Sequence, residues 1–145
     1  MGQTVTDAGL CGALQRWREM GEASREVFAA LEPGARVGLI SQAEMNQAPG
    51  ARMVVWQAGP EGPTTALAPF AGFADAPADM VFLVPDEALD EVAAAGPDKG
   101  LGALEGPVRS GDAMLFYIAP KGDLLDAGYE EFMERLGFGF LGACR

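Results

Sequence analysis

The run from Asp79 to Tyr117 limits the folds open to this chain more than any other stretch. It opens with five apolar residues, Met80-Val81-Phe82-Leu83-Val84, whose length and composition suit a short strand. Pro85 then starts an acidic helical segment in which Asp86 and Glu87 suit the positive end of the helix dipole. Ala88, Leu89 and Val92 supply its buried face, and Gly96 stops it. A glycine-punctuated turn from Asp98 to Gly106 follows, and Pro107 to Asp112 leads into the apolar segment Ala113 to Ile118. The order is strand, helix, turn, strand.

Upstream, Ala8 to Leu31 reads as one amphipathic helix. Leu10, Ala13, Leu14, Trp17, Met20, Val27, Phe28 and Leu31 recur at three-and-four spacing, with charged residues mostly outside that stripe. Asp7 is its N-cap and Pro33-Gly34 its stop. Gly21 and Ser24 on the same face mark either a close crossing of another element or a kink. Three strands follow: Arg36–Ser41, Arg52–Gln57 and Thr64–Ala68. Turn residues 46–50 and 59–63 separate them, the pattern of an antiparallel meander. Pro69 to Ala78 has no clear period and reads as a loop or single helical turn, with Phe70 and Phe73 pointing inward. Left in water, each ring would forgo roughly 2–3 kcal/mol. A last helix, capped by Asp123, runs to about Leu136 with Leu125, Tyr129, Phe132 and Leu136 in a stripe.

Several function classes are excluded or demoted. The chain has no histidine, which removes the commonest general base and zinc ligand together with every Ser-His and Cys-His nucleophile system. Asp86, Glu87, Asp90 and Glu91 sit on the wet face of a short helix and read as solvated, and Asp112 as a turn-closing residue after Gly111. No catalytic residue, metal ligand or cofactor site is assigned, so a non-enzymatic protein is expected. A net charge of −11 opposes phosphate backbones and anionic headgroups, so no nucleic acid and no membrane docking are expected. No apolar run approaches the roughly 18 residues a membrane span needs. Without a secretory leader, Cys11 and Cys144 read as free thiols in a reducing, cytoplasmic setting. The tail from Gly137 to Gly142 matches G-x-G-x-x-G in letters, but it lacks the preceding strand and following helix that would hold a pyrophosphate. It reads instead as an apolar docking segment.

Taken together, these elements resemble the sterol carrier protein type-two family. The resemblance is carried by Asp79 to Val84 for the strand and by Ala88-Leu89 through Val92 for the helix. Gly106, Val108, Arg109, Gly111 and Asp112 would form the family's closing motif, although Pro107 stands where the family commonly has lysine. The resemblance implies an α+β fold: a long N-terminal helix, a curved and mainly antiparallel sheet of about five strands, and helices on one face. It also implies one domain over residues 1–145, with residues 137–145 as an apolar tail.

The expected function is binding or carriage of a hydrophobic, lipid-like small molecule between sheet and helices. Soft and aromatic side chains cluster near that interior: Trp56, Phe70, Phe73, Phe82, Met114, Phe116, Tyr117, Phe132 and Met133 are the candidate pocket residues. The alternative is a non-catalytic interaction module or accessory subunit, a homodimer joined through the apolar tail.

Overall fold

The computed structural model describes residues 14–46, 51–70, 72, 76–94 and 97–136. The start of the first helix with its Asp7 cap, both cysteines, Phe73 and the tail lie outside the described residues.

The first helix is divided into α1 (Leu14–Ala23) and a single turn, α2 (Arg25–Phe28). Ser24 divides them. Its backbone, at φ −100° and ψ 16°, leaves the helical path, and its buried Oγ accepts the Leu101 N–H at 2.8 Å. The apolar stripe read from the sequence is the buried face: Trp17, Met20 and Phe28 are buried, while Arg16, Arg18, Glu19 and Glu22 are exposed. Of the two readings of Gly21 and Ser24, both are present. Ser24 breaks the helix, and Gly21 sits under a crossing strand.

Five strands form one sheet in the order β3-β2-β1-β4-β5. They are β1 (Arg36–Ser41), β2 (Ala51–Gln57), β3 (Thr64–Phe70), β4 (Met80–Val84) and β5 (Met114–Tyr117). The β1–β2–β3 meander is antiparallel, β4 runs parallel to β1, and β5 is antiparallel to β4. Position follows composition. All five residues of β4 are apolar and buried, which suits a strand flanked on both edges. β3 is largely half-exposed and extends two residues beyond the expected Ala68 to take in Pro69, a residue tolerated on an edge strand because it lacks the ladder N–H.

The register aligns two rows of side chains on one face. Thr65, Trp56, Val37, Met80 and Tyr117 form the first, and Leu67, Val54, Leu39, Phe82 and Leu115 the second. The helices α1 and α2 cover this face, together with the terminal helix carrying Phe132. Trp56 touches the first two, through Trp17, Gly21 and Phe28, and Phe28 in turn meets Phe132 of the terminal helix. The opposite face is buried as well, at Ile40, Met53 and Val81. Gly38 lies on that side, where a Cβ would collide with the Met53 methyl group.

Three local expectations are corrected. The stretch 98–106 is not a glycine-punctuated turn: a 3-10 helix, Pro97–Leu104, runs into a further helix, Glu105–Ser110. Leu101 and Leu104, three apart and both fully buried, give the 3-10 segment its inner face despite Gly102 between them. The closing motif drawn from the family resemblance is therefore partly helical, ending where Gly111 takes φ 89°. A one-turn helix, Gln42–Met45, also follows β1 directly. Ser41 Oγ caps it by accepting the Glu44 N–H at 3.1 Å, and the buried Glu44 carboxylate accepts the Arg52 N–H at 3.1 Å, tying the turn to β2. In chain order these helices are α3 (Gln42–Met45), α4 (Asp86–Ala94) and α5 (Glu105–Ser110).

The expected terminal helix is two helices, α6 (Lys121–Ala127) and α7 (Tyr129–Leu136), parted by Gly128 at φ 95°. Pro120 occupies the cap position assigned to Asp123, which lies in the first turn instead. Asp112 closes a turn as expected: its exposed carboxylate accepts the Ser110 hydroxyl at 3.0 Å.

Candidate functional site

On the helix-covered face the centre is an aromatic block. The Phe28 ring lies 5.3 Å from Phe132 and 6.5 Å from Trp56, and Phe132 meets Tyr129 edge-on at 5.7 Å. These are distances at which tilted aromatic pairs attract. Trp17, Met20, Met80, Phe82 and Met133 belong to the same buried core. The Trp56 indole N–H donates to the Trp17 carbonyl at 2.9 Å, so its one polar group is satisfied in a dry place. Gly21 makes this reach feasible: a Cβ there would stand 2.7 Å from Cδ1 and 2.8 Å from Nε1 of the same ring.

One side of the block ends in a polar knot. The Tyr129 hydroxyl lies 2.9 Å from the Arg36 carbonyl and 3.0 Å from Asp79 Oδ2, donating its hydrogen between them. The Arg36 N–H donates to the same carboxylate oxygen at 3.1 Å, and the Asp79 N–H returns to the Arg36 carbonyl at 2.8 Å. The Asp79 carbonyl in turn accepts the N–H groups of Ile118 and Ala119. Asp79 thus ties the ends of β1, β4 and β5 beneath α7. Burial, and then the neighbouring carboxylate, holds the Tyr129 hydroxyl well above the ordinary phenol range, so it remains a neutral donor.

The other side opens to solvent. A cleft of about 300 Å³ lies between α2 and the loop joining β2 to β3. Phe28 is its inner wall, Arg25, Glu26 and Ala29 form one rim, and loop residues 59–62 form the other. Arg25 crosses the gap: its Nη2 donates to the Glu61 carbonyl at 2.6 Å. Gly62, at φ 116°, lets the guanidinium lie against the loop, since a Cβ would stand 3.0 Å from Nη2. Phe28 is 2% exposed, so a single ring separates the cleft from Trp56 and Phe132.

The nine candidate residues do not share one space. Trp56, Phe82 and Tyr117 alternate onto the helix-covered face, and Phe132 and Met133 are buried on α7, the former against Phe28. Phe70 and Phe116 alternate to the opposite face, the first fully buried and the second half-buried. Met114 also points that way and is 53% exposed on the outermost strand. Phe73 lies outside the described residues. Phe28 and loop 59–62 were not among the candidates. Phe28 stood in the sequence as one member of a helical stripe, and nothing in the pattern of Gly59 to Gly62 marks a loop that stands off from a helix.

The chemistry these groups can perform is binding: apolar contact, ring stacking and a few fixed donors. Among the described residues no three Asp, Glu or Cys side chains gather where a metal could be held. Among them, too, no helix is long and apolar enough to cross a membrane.

No protein-family model matches the chain, and no curated protein matches it. Among solved structures it is similar to one described as "UbiJ-SCP2 Ubiquinone synthesis protein", with 11% identity and a TM-score of 0.42. The match covers 89% of this chain and 88% of that one. At that distance the likeness says nothing about function.

Proposed function

We propose that this protein binds and carries an apolar small molecule on the helix-covered face of its sheet. The observation that supports the reading is the cleft over Phe28. An open space of about 300 Å³, at the lower end of the range of small-molecule sites, ends on a ring that touches the aromatic centre of the domain. The buried core to which that ring belongs includes Met20 and Met133, whose unbranched side chains change shape at low cost. A ligand seated in the cleft extends inward as Phe28 turns and the methionines adjust. Trp56, Phe82, Phe132 and Met133 are the pocket residues in this reading, while Phe70, Phe116 and Met114 belong to the other face.

Native mass spectrometry and solvent extraction of protein purified without detergent test the proposal. A copurifying apolar compound, released on denaturation, is the expected result. An empty protein that also fails to take up any added hydrophobic probe would refute it. The alternative, an interaction module pairing through residues 137–145, concerns residues outside those described. Light scattering on the full chain tests it.

A further inference from the structure

We infer that the cleft over Phe28 selects an uncharged ligand and rejects the carboxylate of the same apolar body. The inference rests on the binding reading above and adds the chemical class. The inner wall of the cleft is apolar, at Phe28, but its rim is an unfavourable place for an anion. Arg25 is the cation there, and its guanidinium is already engaged by the Glu61 carbonyl at 2.6 Å and the Glu22 carboxylate at 3.8 Å. Glu26 and Glu61 themselves line the cleft, and the next cation, Arg135 at the Glu26 carbonyl (2.6 Å), is already paired with Glu131 at 2.6 Å, so partnered arginines stand outnumbered by carboxylates in a chain of net charge −11. A fatty acid arriving head-first meets repulsion and finds no unshared cation. Arriving tail-first, it leaves its charge at the same acidic rim. A neutral alcohol meets neither cost, and its hydroxyl needs only a single partner.

The test compares 1-decanol with decanoate by isothermal titration of the full-length protein. Decanoate is expected to bind about tenfold more weakly than decanol, the scale of one like-charge interaction near a surface. The gap should narrow in about 0.5 M salt as screening shortens the reach of the rim charges. Glu26→Gln should improve decanoate binding more than decanol binding and so narrow the gap between them. Ala29→Trp fills the cleft from an exposed position and should abolish decanol binding, with Pro60→Trp as a second filler from the opposite rim. Equal or tighter binding of decanoate would overturn the inference. So would decanol binding that is unchanged by either filler, a result that would place the ligand elsewhere and leave the carrier reading intact. Failure of both probes to bind, with nothing copurifying, would end the carrier reading itself.

Discussion

Replacing Gly21 with alanine sets two physical effects against each other, and the structure says which wins. In an exposed helix interior the change stabilises by about 1 kcal/mol, because glycine is the poorer helix former. Here the new methyl would stand 2.7 Å from Trp56 Cδ1 and 2.8 Å from Nε1, inside any tolerable carbon contact. The large ring must move, and overfilling a packed interior costs about 1–3 kcal/mol. Moving it also pulls the indole N–H off the Trp17 carbonyl, 2.9 Å away, and an orphaned buried donor costs another 1–3 kcal/mol or so. The net expectation is a loss of about 3 kcal/mol. In urea, with a slope near 2 kcal/mol/M, that lowers the midpoint by about 1.5 M at unchanged slope. In a thermal melt it lowers Tm by roughly 10 °C for a domain of this size. Paired with Trp56→Phe, which removes both the N–H and the nearest ring atoms, the alanine penalty should shrink by more than half. A Gly21→Ala protein more stable than wild type would refute the crossing of β2 over α1 at this residue.

Two further perturbations separate named causes. Gly128→Ala should cost at least about 3 kcal/mol, because the residue is left-handed and its Cβ would run into the Ala30 carbonyl, which is backbone and cannot swing aside. Gly111→Ala, equally left-handed at φ 89° but facing open space, should cost only about 1–2 kcal/mol in the same denaturation series. The Tyr129 hydroxyl is held above its unfolded pKa of 10.0, so the folded state keeps a proton that the unfolded state loses in alkali. Its contribution is therefore whole below pH 10 and falls as pH rises beyond it, by about 1.4 kcal/mol per pH unit. Tyr129→Phe should be less stable at neutral pH by about 1–2 kcal/mol and lack that part of the alkaline slope. Parallel stability curves from pH 9 to 11.5 for the two proteins would contradict the hydroxyl's placement against Asp79.

Much of this fold was legible in the chain because the informative residues act locally. The three-and-four stripe through Trp17, Met20 and Phe28 is a buried face, and the turn residues around Gly59 separate antiparallel strands. Met80 to Val84, apolar at every position, forms a strand sheltered on both faces. What was not legible depends on pairs distant in sequence. The parallel pairing of β4 with β1 has no local marker. The helices between Pro97 and Ser110 were hidden because glycine and proline argued for a turn, while the burial of Leu101 and Leu104 against α1 decided otherwise. Candidate pocket residues were chosen by type, and type does not record the side of a strand. Register sends Trp56 and Phe82 to one face and Phe70, Met114 and Phe116 to the other. The cleft itself depends on the distance between α2 and a loop more than thirty residues away, spanned by the Arg25 to Glu61 contact.

The most direct test of the carrier reading is a titration of 1-decanol into isotopically labelled full-length protein, followed by NMR. Saturable shifts are expected at the Ala29 and Gly62 amides, at the Phe28 ring and at the Trp56 indole N–H, with Met114 on the far face unmoved. Shifts that never saturate would contradict it, and a saturable response confined to residues away from Phe28 would contradict the placement of the ligand over that ring.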